Sequence, residues 1–411
     1  MSKKITNIFK GDKVIWMVFL FLCLISIIEV FSASSELTYK GSYLSPIAKH
    51  VSLLFVGFCC MVVNLNIQCR YFKLFIFPLL GLSAITLIMA GFFGESVNGA
   101  GRWITILGIT FQPSEMAKGA LVLATASILS ATQTDKGADA RALKWVAIVS
   151  AVYIYLILRE NLSTALLLCA TLYMMLFIGR CPAKQLGLIA GGVIAGVALL
   201  LIIVLSFGKT PEAVKGDSPQ TVQTTHSDEN SFLRRIDTWK SRILNFNKDD
   251  VAPQKYDLDK NAQVAYANIA IASSNIIGKG PGNSEERDFL SQAFSDFIYA
   301  IIIEETGIEG AAFVALLYII LLFRTGRIAN RCENNFPAFL AMGLALLMVN
   351  QALFNMCVAV GWVPVTGQPL PLISKGGTSS IFNCIYMGVI LSVSRSAKKR
   401  PDAEAESSEA L

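Results

Sequence analysis

Ten apolar runs, each near the length that carries an α-helix across a bilayer, follow one another along this chain. They fall at 14–33, 50–67, 74–93, 113–131, 143–158, 162–178, 186–207, 297–323, 336–358 and 377–394. In hydrocarbon every backbone amide must find its partner within the chain, which leaves helices and closed barrels as the only spanning structures. Continuous apolar runs, rather than short alternating segments, select helices. The sequence therefore predicts an all-α polytopic membrane protein with about ten transmembrane helices. Composition agrees, since only 16% of residues are charged, against about a quarter in soluble chains. The first run is long for a signal peptide and no small-residue cleavage site follows it, so it reads as a retained span.

A net charge of +6 invites a nucleic-acid partner, but its distribution argues for none. Lys3, Lys4, Lys10 and Lys13 precede the first span, and Arg395, Lys398, Lys399 and Arg400 follow the last. Such flanks hold the ends of a multi-pass protein in the cytoplasm. With both termini inside, the inner ends and short inner loops carry 18 Lys and Arg, and the short outer loops carry five. The transmembrane domain is expected to run from 1 to 395, and the acidic, small-residue-rich stretch 396–411 to be a disordered cytoplasmic tail. The nine cysteines form no C-x-x-C pair, and His50 and His226 stand far apart. Packing roles, not a metal site, are expected of both residue types.

One connection differs from the others. Residues 208–296 form a long loop that this topology puts outside the membrane. Lys209 to Asn230 is polar, with the look of a flexible flap. From Phe232 to Phe246, apolar residues such as Ile236, Trp239 and Ile243 interleave with Arg234, Arg235, Lys240 and Arg242. That spacing predicts a basic amphipathic helix lying on membrane lipid headgroups.

Ionisable residues at membrane depth are costly and mark either a structural pair or a functional site. The fourth span opens Gln112-Pro113-Ser114-Glu115 and continues to Lys118, an acid and a base three apart on one face. Before it, Gly99, Gly101, Arg102 and Trp103 suggest a compact loop with a cation and an interfacial aromatic. The eighth span opens at Asp296, either an N-cap or a functional acid, and carries Glu304 and Glu305. Eight residues on, Glu304 is expected near the face of Asp296, about two turns deeper. The Pro- and Gly-rich stretch 364–380 predicts an ordered, interrupted segment, tolerable only if buried in protein or lining a cavity. Its Ser, Thr and glycine amides before a helix suit an anion. Together these features imply an outward-facing polar cavity for an anionic or polar ligand, and a secondary transporter fits as well as an enzyme.

Taken in order, the motifs resemble the SEDS family of cell-wall polymerases (FtsW, RodA and SpoVE). The matching stretches are G-R-W-I at 101–104, Q-P-S-E-M-A-K at 112–118 and I-I-G-K-G-P-G at 276–282. S-D-F-I-Y-A-I-I-I-E-E-T-G at 295–307 and P-V-T-G-Q-P-L-P-L-I-S-K-G-G-T-S-S at 364–380 complete them. Length, the N-terminal G-D-K-V-I-W and the polar insertion are closer to the division members than to the elongation members. Departures are visible. The family's L-P-E-x-H-T-D-F reads L-S-Q-A-F-S-D-F at 290–297, keeping only the aspartate of its polar residues. Its Q-P-D-L-G-T reads R-E-N-L-S-T at 159–164, and Lys375 and Thr378 replace a Tyr and a Ser.

The resemblance implies polymerisation of lipid II, an undecaprenyl-pyrophosphate-linked disaccharide-pentapeptide, at the outer face of the bacterial cytoplasmic membrane during septal wall synthesis. It also implies a class B penicillin-binding transpeptidase (FtsI-like) and other divisome membrane proteins as partners. Asp296 matches the family's essential aspartate and would be the general base. Trp103 matches its important tryptophan, and Arg102, Glu115, Lys118, Lys279, Glu304 and Ser374 fall on other motif positions. Arg102, Lys118, Lys279 and Lys375 would stabilise the departing pyrophosphate, with Arg235 nearby on the amphipathic stretch. A divalent cation, Mg2+ or Mn2+, would assist by the same logic, though no ligand cluster announces one. The rivals are a lipid II flippase that makes no bond, and the elongation polymerase.

Overall fold

The computed structural model describes residues 10–32, 45–93, 95–97, 100–106, 109–135, 137–207, 240, 258–290 and 295–397. Each of the ten apolar runs is a helix: α1 (Lys13–Ser32), α2 (Ser45–Asn66), α3 (Ile76–Phe93), α4 (Pro113–Ala131), α5 (Ala140–Glu160), α6 (Leu162–Ile178) and α7 (Ala183–Phe207), then α9 (Ile298–Ala329), α10 (Asn335–Ala359) and α11 (Thr378–Ser396). A further helix, α8 (Leu258–Ser273), lies within the long connection before α9. Local chemistry sets several boundaries. Pro113 occupies the first turn of α4, where its missing N–H costs nothing. Asn161 separates α5 from α6, and its side chain accepts from Ser163 N at 3.1 Å.

Among the described residues, seven helices are long and apolar enough to cross a membrane: α1, α2, α3 with the 3-10 turn Cys69–Phe75 before it, α5, α7, α9 and α10. The chain is a multi-pass membrane protein. The less apolar α4 and α11 are among its most buried helices. Enclosed helices need not be greasy all round, and polar residues are admitted where protein, not lipid, surrounds them.

With no hydrophobic drive between helices in lipid, association rests on close packing through small residues. A Cβ on Gly388 of α11 would come 2.6 Å from the Met61 carbonyl of α2, and one on Gly57 would come 2.7 Å from Cys384 Sγ. The same holds for Gly119 against the Tyr386 ring and Gly343 against Met175. These contacts draw α2, α4, α6, α10 and α11 into one core.

Two expectations need correction. The stretch around Arg102 and Trp103 is not a loop but strand β2 (Ala100–Ile106), set between β1 (Glu95–Val97) and β3 (Ile109–Phe111) in an antiparallel sheet with Ile104 opposite Phe111. The connection 208–296 is not loop throughout. Its second half folds as α8 and a glycine-rich turn packed on α9, because the Ala- and Ile-rich run 265–272 has an apolar face to bury. The polar flap, the amphipathic stretch apart from Lys240, and the tail after Ala397 lie outside the described residues. A second antiparallel pair, β4 (Gln133–Thr134) with β5 (Gly137–Ala138), links α4 to α5.

Gly388→Ala is expected to destabilise the protein by about 1–3 kcal/mol through overpacking against backbone. Gly91→Ala in α3, where nothing lies within 4 Å of the added Cβ, should be neutral or stabilising by up to ~1 kcal/mol. Thermal unfolding of the purified variants in detergent reads both.

Candidate active site

Between α10 and α11 the chain runs without regular structure from 360 to 377, yet Leu370, Leu372 and Ile373 are fully buried. Unpaired carbonyls in such a place cost several kcal/mol each. Side chains from three helices satisfy them. Asn355 Nδ2 of α10 donates to Gln368 O at 2.7 Å, and Gln351 Nε2 to Pro369 O at 3.0 Å. The Tyr318 hydroxyl of α9 donates to Pro371 O, and Ser26 Oγ of α1 to Ile373 O at 2.7 Å. The single Ser26 proton is thereby committed to a carbonyl, so His50 Nε2, 2.8 Å from Ser26 Oγ, must be the donor to it. Leu372 sits at φ +66°, a conformation that costs a non-glycine residue about 1–3 kcal/mol and persists only where the surroundings dictate it.

This segment fixes Asp296. Ser374 Oγ accepts from Leu370 N and donates to Ser295 O, each at 2.7 Å. Asn355 Nδ2 donates to Asp296 O at 2.9 Å. The backbone of Ser295 and Asp296 is thus clamped from α10 and from the interrupted segment, just ahead of α9. The Asp296 carboxylate is not a cap, since the N-cap position is Phe297 and carries no side-chain bond. It accepts from Ser295 Oγ at 3.0 Å and stays partly exposed, beside the positive end of the α9 dipole.

Glu115 and Lys118 pair as their spacing suggests, with Lys118 Nζ 2.9 Å from Glu115 Oε1. The pair is wholly enclosed, and Lys118 also donates to Gln351 Oε1 at 2.7 Å. Tyr386 of α11 donates to the Glu115 carbonyl at 2.6 Å. Lys118 therefore reaches the interrupted segment through Gln351, and its charge is balanced inside the bundle. On the other side, Gln368 Nε2 donates to Thr164 Oγ1 of α6 at 2.8 Å.

A second cluster forms a collar farther along α9. Gly307, at φ +72°, breaks α9, and Gly278, at φ +79°, crosses it. A Cβ on Gly307 would come 2.0 Å from Ile276 O, so only glycine fits. The break frees two α9 carbonyls, which Lys279 N and Gly280 N take up at 2.9 and 2.8 Å. Glu304 does not turn toward Asp296 as the eight-residue spacing suggested. Helix α9 starts at Ile298, so Asp296 lies outside its periodicity. Glu304 instead meets Lys279 Nζ at 2.8 Å, Ser284 Oγ and Glu285 N. Glu305 accepts from Gly282 N at 3.0 Å and from Ser32 Oγ. The hydrogen bond to Glu304 raises the Lys279 pKa above the ordinary lysine range, whereas burial, with Lys49 near, lowers that of Lys375.

The residues singled out from sequence thus fall into two joined sets and a remainder. Asp296, Ser374, Glu115 and Lys118 are linked through Gln351, Asn355 and Gln368, and Lys279 with Glu304 forms the collar. Trp103 is half-buried on β2, while the side chain of Arg102 and all of Arg235 lie outside the described residues. Gln351, Asn355 and Thr164 were missed. Their signal was present, since Asn350, Gln351 and Asn355 are amides inside an apolar run, the last two four apart on one face. No group of three or more His, Cys, Asp or Glu among the described residues is placed to hold a metal ion.

Comparison with known proteins gives three findings. The family model for cell cycle proteins of the FtsW/RodA/SpoVE type matches residues 12–399. A Geobacter sulfurreducens protein named probable peptidoglycan glycosyltransferase FtsW is 28% identical over 98% of this chain and all of its own length. A protein of the same name from Nitrosococcus halophilus is 31% identical over 77% of this chain and 73% of its own. Among solved structures, a chain of a peptidoglycan synthase complex superposes with a TM-score of 0.69 at 21% identity, covering 95% of this chain and 99% of that one. The rod shape determining protein RodA of Thermus thermophilus gives 0.63 at 20% identity, over 96% and 100%. These last two likenesses are of fold.

Lys118→Met should cost about 3–5 kcal/mol, because it leaves Glu115 charged and enclosed without a partner. The double variant Glu115→Gln, Lys118→Met should recover more than half of that loss. Thermal unfolding of the single and double variants gives the coupling.

Proposed function

The chain belongs to the FtsW/RodA/SpoVE family of cell cycle proteins, and from that membership we propose that it is a peptidoglycan glycosyltransferase polymerising lipid II into β-1,4-linked glycan strands. The observation that carries the reading is a single carboxylate, Asp296, clamped through its backbone at the mouth of the bundle by Ser374 and Asn355. The division role follows the relatives' names. The setting is the bacterial cytoplasmic membrane at the septum, with both termini in the cytoplasm and Asp296 outside.

Glycosyl transfer onto a sugar hydroxyl needs a base for the proton and charge stabilisation for the leaving group. Asp296 takes the proton from the 4-hydroxyl of the acceptor GlcNAc. That oxygen bonds to the anomeric carbon of the donor MurNAc from the face opposite the pyrophosphate. The bond to undecaprenyl pyrophosphate breaks with its electron pair, and configuration inverts from α to β. Lys375, Lys279, Arg102 and Arg235 are the cations proposed to meet the departing charge. Lys375 is half-buried ahead of α11, where less water screens its charge than at an open surface. Lys118 acts differently, positioning the segment that holds Asp296. Trp103, on the sheet before α4, is proposed as a substrate contact. A class B penicillin-binding transpeptidase is the proposed partner, supported by the fold shared with a peptidoglycan synthase complex.

An enzyme is favoured over a flippase by where ionisable groups lie. The buried acidic, basic and histidine side chains among the described residues are Glu29, His50, Glu115, Lys118, Glu304 and Glu305. All sit at the Asp296 end, since Glu305 meets Ser32 at the end of α1 and His50 meets Ser26 there. Deeper in the bundle the walls are Leu121, Val122, Leu129 and Leu347. The buried polar groups of that layer are neutral hydroxyls such as Thr125, Thr171 and Thr325, whereas a path for a pyrophosphate headgroup would carry cations through it.

Asp296→Asn should lower polymerisation of labelled lipid II by at least about 100-fold while leaving the unfolding temperature unchanged. Asn keeps the shape and removes the base, so near-wild-type strand synthesis by the purified variant would refute the assignment. For topology, a reporter active only outside the cytoplasm should give signal when fused after Ser218 and none after Arg400. The reverse pattern would place Asp296 on the wrong side for a cell-wall polymerase.

A further inference from the structure

The end of the bundle opposite Asp296 holds a cavity of about 650 Å3 that the proposed reaction does not use. Its place in the fold is fixed by α4, which enters beside the site at Glu115 and reaches this cavity at Ser130, and by α11, which reaches it at Ser396. The remaining wall comes from Arg70 and Lys73 on the 3-10 turn and from Asn334 and Asn335 at the start of α10. Arg70 lies 4.8 Å over the Tyr71 ring and Lys73 4.9 Å over the Phe336 ring, so each cation rests on an aromatic face. Glu333 brings one negative charge to the rim, so the lining carries one net positive charge. Asn334 makes no side-chain capping bond, and the amide end of α10 faces the same space.

Depth and amphipathy identify the ligand class. Beside Arg70 and Lys73 the same stretch turns Leu74 (69% exposed) and, just after it, Phe77 (83% exposed) outward. Apolar side chains so exposed belong in hydrocarbon, which places the cations at headgroup level. An apolar groove of about 290 Å3 shares walls with the cavity's elements, lined by Phe72, Phe75 and Leu79 with Leu340 and Leu344 of α10. Leu340 is four residues beyond Phe336, one turn deeper on the same face. A polar, cationic chamber and an apolar slot bordered by the same 3-10 turn, α4, α10 and α11 match a molecule with an anionic head and an acyl tail.

We propose that this cavity binds the phosphodiester headgroup of an anionic phospholipid of the facing leaflet, with an acyl chain in that groove. Basic pockets between transmembrane helices recognise such headgroups through the same charge complementarity. Free phosphate shares the head chemistry but leaves the groove unused. The site is independent of the glycosyl-transfer reading, because its readout is binding alone.

The test uses the full-length purified protein in a neutral detergent, titrated with phosphatidylglycerol, with phosphatidylcholine of the same chains, and with inorganic phosphate. Lipid retention is read by native mass spectrometry and the unfolding temperature by calorimetry. Phosphatidylglycerol should bind and stabilise, phosphatidylcholine should bind at least about tenfold more weakly, and phosphate should not displace the lipid. Arg70→Gln with Lys73→Gln should weaken phosphatidylglycerol binding about tenfold or more, and added salt should do likewise. Arg70→Lys with Lys73→Arg, which keeps both charges, should retain it and covers the case in which the glutamine pair misfolds. Equal retention of both lipids, unchanged by the glutamine pair, would overturn the proposal. Full displacement by inorganic phosphate would overturn the lipid assignment in favour of a free-anion site.

Discussion

A stretch of unwound backbone cannot lie within a membrane protein's core unless its carbonyls are satisfied from elsewhere, and the rest of this molecule is arranged around that requirement. Gln368, Pro369, Pro371 and Ile373 each present a carbonyl to a side chain from α10, α9 or α1. Because each donor comes from a helix, meeting the requirement also sets the register of those helices against one another. Asn355 serves both Gln368 and Asp296, so the bond that satisfies the segment is inseparable from the one that aims the carboxylate. A catalytic constellation built on loops alone would be looser by the margin that costs most in rate.

The enclosed Glu115–Lys118 pair belongs to the same frame. Taking two charges out of water costs about as much as their attraction returns, so such a pair adds little net stability over an apolar substitute. What it provides is direction. Lys118 holds Gln351 at its carbonyl end while the amide end of Gln351 holds Pro369, and an apolar residue could not transmit that order. The Gly278–Gly307 crossing does equivalent service at the collar, where peptide groups touch because neither residue has a side chain.

Helix positions were legible from apolar runs, because burial in lipid imposes the same length on every span. Asp296, Ser374, Glu115 and Lys118 were legible as polar groups at membrane depth, and their order along the chain carried the family resemblance. The partner of Glu304 was not, because eight residues of helical spacing assume a helix that in fact begins after Asp296. The amides of α10 were also passed over. Gln and Asn in an apolar run look like tolerated polar residues until the carbonyls they serve are seen 13 and 18 positions further along. The sheet before α4 escaped notice for another reason: its strands are short, and Gly99 and Gly101 read as turn residues in any single-sequence pattern.

The uneven placement of buried ionisable groups has a consequence for the membrane as a whole. A bacterial membrane stores energy as an electrical potential, and moving one charge through it changes the free energy by about 2.3 kcal/mol per 100 mV. Between the Lys118 level and the Asp12–Arg324 pair at the far end, the buried polar side chains among the described residues are neutral ones such as Thr125, Thr171 and Thr325. An ion entering that layer would meet no buried Asp, Glu, Lys, Arg or His among the described residues. The proposed reaction, in which a glycosyl carbon loses undecaprenyl pyrophosphate, moves no charge through that layer.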